Sequence, residues 1–82
     1  MKKVVLYAIS TCPWCRKAKN YFTKNDIPFD YVEYDLLSDS EQDSIMNEIE
    51  KFGSTGEFPF VIIGKTGVSG YEPDEYTRLL DL

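Results

Sequence analysis

Cys12 and Cys15 are the only cysteines of an 82-residue chain that has no histidine, and they lie in the run Ser10-Thr11-Cys12-Pro13-Trp14-Cys15. Two thiols at that spacing can close and reopen a disulfide, which is two-electron chemistry. A disulfide is attacked by a thiolate, and a free cysteine titrates at about 8.5. A helix N-terminus, cationic neighbours or a Cys-x-x-Cys spacing lowers that value to about 3.5–7.5. Cys12, followed by proline, reads as the opening of a helix, where unpaired N–H groups and the positive dipole end stabilise an anion. Cys15 falls one helical turn later, on the inner side. Cys12 is therefore expected to attack a disulfide and Cys15 to resolve the mixed disulfide that forms.

Other uses of the pair fit less well. Two buried core cysteines would account for Cys15, in register with Ala18 and Phe22, but not for Cys12 in a turn before proline. A disulfide across three residues closes almost no loop, so a structural staple would constrain little of the unfolded chain. The lack of histidine excludes a histidine base, a haem histidine and a Cys/His zinc site built from one chain. A Cys-x-x-Cys pair is half of a zinc site, which leaves zinc shared between two chains as the remaining metal arrangement.

The surrounding elements must present the first sulfur and bury the second. Lys3–Ala8 is a short, β-branched apolar run that predicts a strand buried on both faces. Pro13 suits the first turn of a helix, which Asn25-Asp26-Ile27-Pro28 stops. Cys15, Ala18 and Phe22 share one face of it, with Arg16, Lys17 and Lys19 leaning outward. Phe29–Tyr34 reads as a second strand. Ser38 and Glu41 have the spacing of a capping box, and Ile45, Ile49 and Phe52 mark a second helix ending near Gly53. Phe60–Ile63 is a third strand, Gly64–Gly67 a turn and Val68-Ser69 a short fourth strand. Pro73 opens a last helix, with Asp74 and Glu75 in its first turn and Tyr76, Leu79 and Leu80 inward. The first β-α-β unit predicts a parallel pair joined by a right-handed crossover, and the tight last connection an antiparallel pair. The order β-α-β-α-β-β-α describes one α/β domain over residues 1–82: a thioredoxin-like, four-stranded mixed sheet with helices on both faces.

Composition narrows the partners. At 43% hydrophobic and 15% aromatic, the chain has enough apolar material to fold alone. Its longest apolar run, Val4–Ile9, is far shorter than the roughly 20 residues of a membrane helix. Lys2 and Lys3 before it faintly suggest a signal peptide, but no small-residue cleavage site follows, so a cytoplasmic chain is expected, with no membrane partner. The net charge of −5 argues against nucleic acid. Residues 1–25 hold six Lys or Arg and no acid, while residues 26–82 hold all fourteen acids and three bases. The cysteines lie in the basic third, where a positive field favours thiolate and steers an acidic partner.

The block from Tyr7 to Lys19 resembles the active-site segment of glutaredoxins. Phe58-Pro59 is similar to that family's Val-Pro or Leu-Pro, and Ser69-Gly70-Tyr71 to its Gly-Gly-Tyr or Ser-Gly-Phe. The likeness covers nearly the whole chain. It implies a cis proline at Pro59 facing the cysteines, a docking edge at the backbone of Phe58, and substrate or partner contacts from Pro13, Trp14, Ser69, Gly70 and Tyr71. Trp14 offers a flat apolar platform beside the reactive sulfur. Tyr7 and Tyr71 are candidates for the same face or for the core.

Two reductants compete within the resemblance. Glutathione-dependent members hold glutathione with a basic residue a few positions before the first cysteine and a polar pair after the glycine turn. Here Ile9 and Glu72-Pro73 stand at those places, and Lys51 on the second helix is the cation left for that role. Ser69-Gly70-Tyr71-Glu72-Pro73-Asp74 instead resembles the Ser-Gly-Phe-Arg-Pro-Asp of NrdH-type redoxins, which a thioredoxin reductase recharges and which supply ribonucleotide reductase. Glu72 in place of arginine and Trp14 between the cysteines depart from that pattern. The expected activity is reduction of disulfide-containing protein substrates by a monomer. It needs no tightly bound cofactor, and glutathione is the alternative co-substrate. An iron–sulfur carrier is disfavoured by the proline between the cysteines and by the absence of the expected loop insertion. A non-catalytic interaction module would require both thiols to be inert.

Overall fold

The computed structural model describes residues 2–54 and 56–82. The elements are β1 (Val4–Ala8), α1 (Pro13–Lys24), β2 (Asp30–Glu33), a 3-10 turn (Tyr34–Leu36), α2 (Asp39–Lys51), β3 (Phe60–Ile63), β4 (Thr66–Ser69) and α3 (Pro73–Leu79). The sheet has the order β2-β1-β3-β4. β1 runs parallel to β2 with Val5 opposite Asp30, and β3 is antiparallel to both β1 and β4. This is the mixed, thioredoxin-like sheet expected from the element order.

Alternation along the strands divides the core between the two faces of the sheet. Val4, Leu6 and Ala8 of β1 join Val61 and Ile63 of β3 beneath Cys15, Ala18 and Phe22 of α1 and Tyr76 and Leu79 of α3. Tyr7, Phe60 and Ile62 point the other way, against Ile49 of α2. Tyr7 is thus a core aromatic, stacked on Phe60. Each fully buried side chain of this size contributes about 1.5–3 kcal/mol relative to exposure.

Local chemistry sets the ends. Ser38 caps α2 and Glu41 returns the bond to its N–H, completing the capping box. α1 stops where Asp26 adopts a left-handed conformation (φ +55°) and sends Ile27 into the core. Three boundaries depart from expectation. β1 begins at Val4 and leaves Val5 half-buried, because β2 is an edge strand whose side α2 covers incompletely. Tyr34, expected to end the second strand, instead starts the 3-10 turn. β4 starts at Thr66, since Gly64 and Lys65 alone make the hairpin turn, with Gly64 supplying the positive φ (+63°).

Candidate active site

Cys12 is the N-cap of α1. Its backbone is extended (φ −91°, ψ 117°), its N–H donates to the Ile9 carbonyl at 3.1 Å, and its Sγ accepts the N–H of Cys15 at 3.3 Å. A cap normally takes such a bond on an oxygen; here a sulfur does so, so a backbone donor is aimed at the reactive atom. Pro13 fills the first helical position without removing any needed donor. Cys12 is half-buried, whereas Cys15 is 1% exposed; both are free thiols. Burial, reinforced by the hydrogen bond to the Cys12 sulfur, pushes the Cys15 thiol up to about 12. One sulfur is reachable and the other is shielded and protonated.

A groove of about 270 Å³ opens beside them, lined by Trp14, Phe58, Pro59, Gly70 and Tyr71. The Phe58–Pro59 peptide is cis, as the resemblance implied. The Gly70 N–H donates to the Pro59 carbonyl at 2.8 Å, which joins the two loop walls of the groove. Trp14, 54% exposed, packs against Tyr71 with ring centroids 6.0 Å apart. The ammonium of Lys17, one turn on, lies 4.5 Å above the Trp14 ring. Of the residues singled out in the sequence, Ser69 does not line this groove; its hydroxyl donates to Ser54 Oγ at 3.2 Å. Pro13 is exposed at the start of α1 and Lys51 in the last turn of α2.

Two supports were not singled out in the sequence. Asp35, in the 3-10 turn, accepts the Ser10 N–H at 2.9 Å and the Ser10 hydroxyl at 2.5 Å, fixing the loop that enters Cys12. Those bonds hold its carboxyl below the usual carboxylate range. Tyr76, read only as a packing residue, donates its hydroxyl to the Gly70 carbonyl at 2.7 Å. Neither has a local motif that would reveal it, because the partners are 25 and 6 residues away.

A cap sulfur with a shielded second thiol behind it, beside a groove closed by a cis proline on a thioredoxin-like sheet, has the makeup to close and reopen a disulfide. The family model for glutaredoxin matches residues 4–68. The chain belongs to the glutaredoxin family, and with it to the thiol–disulfide oxidoreductases. It is similar to the glutaredoxin of Methanosarcina mazei, at 33% identity and a TM-score of 0.91, covering 98% of this chain and 79% of that one. Methanoredoxin of Methanosarcina acetivorans is 30% identical, with a TM-score of 0.90 over 98% of this chain and 85% of the other. The NrdH-redoxin of Escherichia coli shares the fold, with a TM-score of 0.73 at 22% identity over 94% and 93% of the two chains. No helix among the described residues is long and apolar enough to cross a membrane.

Proposed function

We propose that the chain is a dithiol electron carrier that reduces disulfides of a protein partner and is recharged by a thioredoxin reductase, as NrdH-type redoxins are. Ribonucleotide reductase is an acceptor of this class. The observation that carries the reading is the makeup of the groove beside Cys12: all five lining residues are uncharged, and exposed Glu72 follows Tyr71 at its edge. Such a groove suits an apolar peptide segment better than the carboxylates of glutathione.

The steps follow from the two sulfurs. Cys12 Sγ, as thiolate, attacks one sulfur of the substrate disulfide; that S–S bond breaks, and the departing thiolate takes a proton. In the mixed disulfide the Cys12 sulfur no longer carries charge. Two of the influences that hold the Cys15 proton, the bond to that sulfur and its charge, then fall away. Cys15 loses its proton, attacks Cys12 Sγ and expels the second substrate thiol. The substrate gains two electrons and two protons, and the chain keeps a Cys12–Cys15 disulfide. The dithiol of the reductase reverses this last bond. The carrier works as a monomer without a bound cofactor, in the cytoplasm, where dithiols are kept reduced.

A second reading, glutathione as the reductant, is favoured by the Lys17 ammonium 4.5 Å above Trp14, a cation at the groove's rim. One assay separates them. The oxidised protein is offered NADPH with thioredoxin reductase, or NADPH with glutathione and glutathione reductase, with Cys12→Ser as the blank. Turnover with the thioredoxin reductase is expected; turnover with glutathione alone would overturn the first reading and establish the second.

A further inference from the structure

The charges around this groove are sorted by element. α1 carries Arg16, Lys17, Lys19 and Lys24, all exposed, and no acid. Ion pairs among the described residues are Lys3–Asp30 and Arg78–Glu75, so none of the four α1 cations has a carboxylate within 4.0 Å. Lys17 rests instead on Trp14, and Lys19 lies 4.6 Å above Tyr31. Next to Tyr71, which packs against Trp14, the exposed residues Glu72 and Asp74 are acidic. Helix stability accounts for Lys24, in the last turn, but not for Arg16, Lys17 and Lys19. A helix gains from acids in its first turn and from Glu–Lys pairs one turn apart. α2 and α3 both place acids in their first turn, and α1 has none. Four like charges on one short helix, in a chain of net charge −5, repel one another and leave a positive field beside the reactive sulfur.

We infer that α1 and the Trp14 wall form a docking surface for an acidic segment of the disulfide-bearing partner protein. The apolar neighbours of the partner's cysteine fill the groove, and its carboxylates lie along α1, first at Lys17 and Arg16. Trp14 to Lys24 spans roughly 15 Å of helix, room for several carboxylates in an extended segment. Glu72 and Asp74, beside Tyr71, repel the same segment and so favour its acids along α1. The inference rests on the redox reading above and names the chemistry of its partner.

Two synthetic peptides test it. Both carry the same internal disulfide and apolar neighbours; one is flanked by glutamates and the other by lysines. Each is mixed with pre-reduced protein in a single turnover, in which the peptide gains two electrons and two protons and Cys12 and Cys15 become a disulfide. The acidic peptide is expected to react about 10-fold faster at low salt, an advantage that shrinks as salt is raised. In an Arg16→Glu/Lys17→Glu variant the ratio between the peptides should invert. Because both peptides meet the same variant, any change in the intrinsic reactivity of Cys12 cancels in that ratio. Equal rates, or preference for the lysine peptide, overturn the docking inference and leave the redox reading standing. An acidic preference that survives the double variant overturns the placement on α1. Reduction of neither peptide sinks the redox reading and this inference together.

Discussion

The buried hydroxyl of Tyr76 donates to the carbonyl of Gly70 at 2.7 Å, and Gly70 in turn donates its own N–H to the carbonyl of Pro59 at 2.8 Å. α3 therefore holds the Tyr71 wall of the groove, and through it the cis-proline wall. Burial raises the Tyr76 phenol to about 12, so the donor keeps its proton at any working pH. The Tyr76 ring also packs against Tyr71, 6.2 Å away, and against Phe22, 5.1 Å away.

Tyr76→Phe keeps the ring and removes the donor. The Gly70 carbonyl then loses a partner in a part-buried place, which should cost about 1–2 kcal/mol in urea unfolding. The KM for a peptide disulfide should rise more than kcat falls, because a groove wall loosens while the sulfurs stay in place. Unchanged stability and KM would mean that the hydroxyl holds nothing.

Cys15 and Cys12 should differ sharply toward an alkylating reagent. At pH 7 iodoacetamide should label Cys12 and spare Cys15, as read by peptide mass mapping; comparable labelling would remove the division of labour. The raised Cys15 thiol also has a stability consequence. Its folded value, about 12, lies above the unfolded value near 8.5, so its contribution is whole below pH 8.5 or so and is lost as pH rises toward 12. The Tm of the reduced protein should therefore fall across that alkaline window. Cys15→Ala should fall less steeply, and parallel curves would contradict the shift.

The parallel β1–β2 unit and the capped start of α2 were legible from the chain alone: the strand–helix–strand order of apolar runs carries the first, and Ser38 and Glu41, three residues apart, carry the second. Gly67 was not. It reads as turn punctuation, yet it lies within β4, where a Cβ would come 2.6 Å from Phe60 Cζ and 2.8 Å from Phe52 Cβ. That constraint comes from the end of α2 and from β3, and spacing within the hairpin cannot express it. Tyr34 departs from its sequence pattern for a similar reason. An aromatic residue after Glu33 continues a strand pattern, and only the bond from Ser10 to Asp35 shows why the chain turns there.

Gly67→Ala follows directly. Both contacts are shorter than real Cβ contacts, and one is to the base of a side chain that cannot swing away. Overpacking of this kind costs about 1–3 kcal/mol. A lowered Tm with Cys12 alkylation unchanged is expected, since Gly67 lies away from the groove; a neutral Tm would show that Phe52 moves freely.

Asp35 acts on the site from outside it. Ser10 lies two residues before Cys12 and bonds the carboxylate through both its N–H and its hydroxyl, so the loop entering the reactive cysteine is anchored to the 3-10 turn. Asp35→Ala frees that loop, and with it the position of Cys12, without substituting Cys12, Cys15 or any groove residue. Displacing a reacting atom by about 1 Å can cost up to 10²-fold in rate. Single-turnover reduction of a peptide disulfide should accordingly slow, with Asp35→Asn intermediate because its amide retains one acceptor. The pH dependence fixes the cause. The folded value lies below the unfolded one, near 3.9, so the carboxylate's contribution is present above that pH and is lost as pH falls through the folded value. Wild type and Asp35→Ala should therefore differ in Tm at neutral pH and converge in acid. A gap that persists once the carboxylate is protonated would assign the effect to lost packing, and an unchanged rate in Asp35→Ala would show that the loop holds Cys12 without this anchor.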